Sequence, residues 1–188
     1  MKYLFALGLL AAVLPVSAGS AQEVDRQMIV AERTAMAKLD WMNGTWRGEA
    51  VTQGRNGEHR VTQTERIGSL LDGTVKVIEG KAYNADGSVG FNALGIVSFD
   101  PAANAYALHS YAQGRAGTFS FTPTPSGYVW EIPVGPMTIR YTMTLKDGTW
   151  NEVGDRIAAG KPSVRFFEMN LKRVGDTDWP AAGGPQPR

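Results

Sequence analysis

Glu152 and Arg156 are the residues that most invite a chemical reading. Both fall on the apolar side of an alternating stretch, Thr149–Ala158, beside Trp150. A charge on an apolar face costs several kcal/mol (order of magnitude) unless it is paired or hydrogen-bonded. The two either lock onto each other or line a cavity that receives the polar head of a ligand. Tyr128, Trp130 and Tyr141 share that side and supply an aromatic wall. Aromatics with a few convergent polar groups are the usual make-up of a small-molecule pocket. An enzymatic alternative uses Glu152 or Glu65 as acid or base, with Arg156 or Arg140 as electrostatic partner.

Other chemistry is thinly supplied. The chain has 2 His and no Cys. A zinc site would have to lean on carboxylates, and no spacing supports one. His59 and His109 read as structural. Ser126 and Ser163 lie in turns without a nucleophile elbow, and Gly114-Arg115-Ala116-Gly117 reads as a hairpin turn, not a phosphate loop. No residue is assigned as catalytic and no metal is expected.

The elements that must position these residues are strands. From Thr45 apolar residues recur with a period of two, and about ten strands are predicted: 45–52, 59–67, 74–82, 89–99, 105–113, 116–122, 127–133, 137–145, 149–158 and 164–174. Asp72-Gly73, Asp86-Gly87, Gly135-Pro136 and Asp147-Gly148 are among the turns. A meander this long closes, because closure removes its edges.

Three tight hairpins predict registers. A loop at Gly135-Pro136 sets Trp130 against Tyr141 and Glu131 against Arg140. One at Asp147-Gly148 sets Met143 against Glu152 and Arg140 against Asp155. One at Gly114-Arg115 sets Leu108 against Phe121 and His109 against Ser120. Tyr128, Trp130, Ile132, Ile139, Tyr141, Met143, Leu145, Trp150 and Glu152 then share the inner face with Leu108, Phe119, Phe121, Phe167, Met169 and Leu171. Glu131, Arg140 and Asp155 form a charge row on the outer face.

Ahead of the strands, Val24, Met28, Ala31, Ala35, Leu39 and Met42 recur at helical spacing, and Asn43-Gly44 ends the pattern. Residues 1–21 read as a cleavable signal peptide: Lys2, an apolar run, then small residues allowing cleavage after Ala18 or Ala21. The domain reading is therefore 1–21 signal, 22–43 helix covering the barrel, 44–175 barrel and 176–188 flexible tail. Export to a bacterial periplasm or the medium is expected, with no integral membrane segment after cleavage. Lys plus Arg (19) nearly balance Asp plus Glu (18) in 188 residues, so no field attracts nucleic acid.

Gly44-x-Trp46 at the first strand, behind a helix, resembles the opening of lipocalin-like (calycin) barrels. That resemblance implies that Trp46 closes one barrel end with Arg173 stacked on it. The run Leu39-Asp40-Trp41-Met42-Asn43-Gly44-Thr45-Trp46 is similar to nitrobindin-type ten-stranded haem barrels. It implies a haem alternative with His109 or His59 as axial ligand, although no His follows His109. Thr64-Glu65-Arg66, Asn92-Ala93-Leu94-Gly95, Ser98-Phe99-Asp100-Pro101, Trp130-Glu131-Ile132-Pro133-x-Gly135-Pro136 and Phe167-Glu168-Met169 resemble a family of bacterial secreted domains of unknown function.

The expected fold is all-β: a single antiparallel up-and-down barrel of about ten strands, lipocalin-like, preceded by an N-terminal helix. The expected function is non-enzymatic binding of a small, partly apolar ligand inside it, with no cofactor, and with a hollow near Trp130, Tyr141 and Glu152.

Overall fold

In the computed structural model, which describes residues 18–177 and Trp179, ten antiparallel strands close into one barrel. The strands are β1 Gly44–Gly54, β2 Gly57–Leu70, β3 Val75–Tyr83, β4 Val89–Asp100, β5 Ala105–Ala112, β6 Arg115–Thr124, β7 Gly127–Val134, β8 Met137–Lys146, β9 Thr149–Ala158 and β10 Val164–Gly175. Each strand pairs with its neighbours in sequence, and β10 returns to β1, with Trp46 opposite Arg173. Every predicted strand is present. The signal-peptide reading falls largely outside the described residues.

The turns follow from their chemistry. At Asp147-Gly148 both residues have positive φ (50° and 68°), as a two-residue hairpin turn matching strand twist requires. The β7–β8 and β8–β9 registers are as predicted. The β5–β6 register is not. Its loop is Gln113-Gly114 (φ 52° and 74°), so Leu108 faces Phe119 and His109 faces Thr118. Moving the loop by one residue shifts the partner by two, so every side chain keeps its face.

The helix α1 spans Ala18–Ala37 and gives way to a 3-10 turn, Asp40–Met42. It therefore stops earlier than the apolar spacing predicted. Val24, Ile29 and Val30 are exposed, and the C-terminal end of the helix with the segment after it reaches the barrel: Met36, Leu39 and Met42 are buried. These three plug one end of the barrel and pack with Trp46, Ile67, Val97, Leu108, Phe121, Tyr128, Met143, Trp150 and Leu171. The plug is also held by polar links. Tyr106 Oη donates to the Ala35 carbonyl (2.8 Å), Trp46 Nε1 donates to the Met42 carbonyl (2.9 Å), and Arg33 pairs with Asp72.

Beyond β10 the chain does not leave the barrel at once. Arg173 bridges to Asp176, and the Arg66 guanidinium lies over the Trp179 ring at 4.2 Å. Trp179 packs so closely on β2 that a Cβ on Gly68 would sit 2.7 Å from its own Cβ. Trp179 thus docks on the outer wall, where an indole and a cation satisfy each other; most of the tail predicted over 176–188 lies outside the described residues.

Candidate functional site

The inner faces of β2, β7, β8 and β9 assemble the site. On β9, alternation turns Trp150, Glu152 and Gly154 inward. On β7 it turns Tyr128 and Trp130 inward, and on β8 Tyr141 and Met143. Glu152, 6% exposed, accepts three hydrogen bonds: from Tyr128 Oη (2.8 Å), Trp130 Nε1 (3.1 Å) and Trp150 Nε1 (3.2 Å). Burial pushes its carboxyl above the ordinary range, and the three donors pull it back. The Tyr128 hydroxyl rises well above its usual value, first through burial and then through the Glu152 charge.

Three predicted site residues, Tyr128, Trp130 and Glu152, therefore meet directly. Tyr141 joins by stacking on Trp130 (centroids 4.3 Å, 7° between planes), and burial pushes its hydroxyl up to about 12. Arg156 stands apart. It is exposed, lies over the Phe166 ring at 4.3 Å, and makes no ion pair with Glu152. The indoles and phenol already satisfy Glu152, and the guanidinium is hydrated at the rim. The three donors close directly on Glu152.

Room begins farther along. At the end opposite α1, the inward-facing Phe119, Trp130, Ile132, Tyr141, Phe166 and Phe167 are all part-exposed, so solvent enters through a mouth there. Phe166 is an addition that the sequence pattern missed. A bulge between Arg165 and Phe167 breaks the alternation, and both phenyl rings reach Tyr141 (6.0 and 5.8 Å). Across the barrel the wall carries small side chains: Ala82, Ala93, Ala112 and Ser110.

Glu65, considered above only as an alternative acid, belongs to this site. Its pairing opposite Trp46 and Gly80 turns it inward. One oxygen accepts from Gln63 Nε2 at 2.7 Å, and Oε2 has no partner among the described residues. The carboxyl lies against β3 because Gly80 has no side chain; a Cβ there would be 2.9 Å from Oε2. Glu65 is enclosed by the barrel wall yet touched by solvent from the mouth. Burial, reinforced by the nearby Glu152 charge, raises its carboxyl to about 8 against the opposing bond from Gln63. Glu65 therefore keeps its proton at neutral pH, while Glu152 accepts from three donors.

Arg173 stands opposite Trp46, but its guanidinium reaches the Asn43 carbonyl (3.4 Å) and Asp176 (2.6 Å). Trp46 instead meets Trp150 in an edge-on contact, with ring centroids 5.4 Å apart. Both ring nitrogens of His109 lie 3.1 Å from hydroxyls on the outer wall, Ser98 and Thr118, and His59 is exposed near the β1–β2 hairpin. His109 is thus turned away from the barrel interior. The outer charge row divides, with Glu131 pairing to Arg140 and Asp155 to Arg165. Two depressions on the outer wall, one beside that row and one beside Trp179, hold no buried charged side chain.

No known family matches this chain, and no curated protein is detectably similar to it. The likeness to lipocalin-like proteins therefore rests on the closed ten-stranded barrel itself.

Proposed function

We propose that this chain is a bacterial secreted or periplasmic barrel that binds a small, partly apolar ligand through its open end without transforming it. The observation that carries the reading is the mouth. Inward aromatics there remain part-exposed beside a carboxyl oxygen, Glu65 Oε2, that has no protein partner among the described residues. An open carboxyl oxygen beside part-exposed aromatic rings is the usual make-up of a small-molecule site. The charged start, apolar run and small residues of 1–21 support export, and the resemblance of several motifs to secreted lipocalin-like domains agrees with it.

Native mass spectrometry and an absorption spectrum on protein from a periplasmic extract test this reading. A co-purifying mass of a few hundred daltons (order of magnitude) without a Soret band is the expected result. A Soret band would overturn it in favour of haem. One observation also favours catalysis: a carboxyl raised to about 8 is an acid at neutral pH. Turnover of a substrate panel that disappears in Glu65→Gln would establish that second reading.

A further inference from the structure

The ligand-binding reading leaves the ligand's charge open, and the inner wall answers it. We propose that the barrel takes an organic cation, a primary or secondary ammonium on a compact apolar body, with its nitrogen at Glu65 Oε2 and its body against Trp130 and Tyr141. This inference rests on the ligand-binding reading and narrows it.

Three observations carry it. The first is the sign of the inner charge. Below the mouth the inward ionisable groups are Glu65 and Glu152, both carboxyls. The inward cation at the other end, Lys76, is already held by Asp40, Asn43 and Ser69 at 2.7–2.8 Å. An anionic head at Glu65 would meet two acids; the mouth's own cation, Arg156, stands at the rim over Phe166 and beside Tyr141. The second is geometry. Oε2 is unpartnered among the described residues and held in place by the missing Cβ of Gly80. A donor arriving from the mouth finds an acceptor already oriented. The third is the ring faces. Arg156 lies over Phe166 at this same end, so one ring of the mouth already carries a cation at 4.3 Å.

Binding has a proton consequence. The titratable groups facing Glu65 are Glu152 on β9, Tyr128 on β7 and, through the wall, Glu79 on β3. Tyr128 stays neutral, and Glu79 is paired with Arg66 and Lys81. An arriving ammonium therefore displaces the Glu65 proton to solvent, and the carboxylate forms as the ion pair forms. With the carboxyl at about 8, roughly 0.9 proton leaves per cation bound at pH 7.

The test is calorimetry on the full chain with phenethylammonium, phenylacetate and 2-phenylethanol. It is run at pH 7 in buffers of different ionisation enthalpy, and repeated from pH 6 to pH 9. Expected are at least roughly tenfold tighter binding of the ammonium than of either isostere, release of about 0.9 proton, and an affinity rising roughly tenfold per pH unit until about pH 8. Glu65→Gln, with folding checked by circular dichroism, should lose both the preference and the proton release. Gly80→Ala, which keeps the carboxyl but displaces it, should weaken the ammonium alone. Equal binding of the three probes, or an unchanged ammonium affinity in Glu65→Gln, overturns the inference and leaves the ligand-binding reading standing. If neither these probes nor the neutral apolar dye N-phenyl-1-naphthylamine binds, both fall.

Discussion

The two halves of the barrel solve the problem of buried polarity in opposite ways. At the end plugged by α1, Lys76 is fully buried and its three ammonium hydrogens find three oxygens. The Trp46 indole and Tyr106 hydroxyl are likewise satisfied by backbone carbonyls. At the mouth, Glu65 keeps an oxygen without a partner among the described residues, and the ring faces of Trp130 and Tyr141 are part-exposed. Satisfied groups stabilise a structure; a group left open beside solvent is a place for something else to bind. The capped half therefore reads as scaffold and the open half as site. Substitutions should separate the two.

The largest effect is expected at Trp150, which touches Trp41, Trp46 and Tyr128 and donates to Glu152. Trp150→Ala should cost about 4 kcal/mol, since it opens a cavity and removes a donor from a buried carboxylate. Urea unfolding measures it, and a loss below about 1 kcal/mol would dissolve the distinction between scaffold and site.

Next comes an asymmetry within one ion pair. Lys76 is 0% exposed and Asp40 60%. Asp40→Ala leaves a buried ammonium without its counter-charge and should cost about 3 kcal/mol, whereas Lys76→Met leaves only a solvated carboxylate and should cost about 1 kcal/mol. The reverse order in thermal unfolding would show that the plug is held by packing alone.

Glu65 gives a smaller, pH-dependent effect. Its folded carboxyl (about 8) lies above the unfolded value (4.5), so the folded state keeps a proton that the unfolded chain releases. Stability is full below about pH 4.5, falls as pH rises towards 8, and is level beyond. The whole interval corresponds to about 5 kcal/mol by linkage, and solvent contact from the mouth should reduce it to about 2 kcal/mol. Glu65→Gln should therefore become more stable than the parent as pH rises from 5 to 8. Parallel curves would place the carboxyl back in its ordinary range.

Smallest is Arg156→Ala at the rim, under about 1 kcal/mol in stability. If that substitution rivals Trp150→Ala, the mouth is structural after all.

Much of this was legible in the sequence. The turn pairs Asp147-Gly148 and Gly135-Pro136 set the registers of β7, β8 and β9, and with them the inward trio Tyr128, Trp130 and Glu152. Glu65 was also within reach. A two-residue loop at Arg55-Asn56 places it opposite Trp46, and an inward Trp46 carries Glu65 with it. The polar run around it, Gln63-Thr64-Glu65-Arg66, disguised that. Three features were not readable from periodicity. Phe166 depends on a bulge, which by definition breaks the period. Arg156 separates from Glu152 because hydrogen-bond competition, not spacing, decides a buried carboxylate's partners. The helix stops at Ala37 because the plug needs a tighter turn through Asp40–Met42 than an α-helix provides.

The seam between β1 and β10 has a kinetic consequence. Arg173 contacts Asn43 across 130 positions of chain, so the first strand waits for the last before its outer edge is paired. Long loop closure slows folding, and an unpaired edge recruits other chains meanwhile. A molecule emerging N-terminus first from the ribosome cannot close until β10 has followed. Truncation just before Val164 should then be far more damaging to yield than the loss of any one interior contact, with β1 presented as an open template for aggregation.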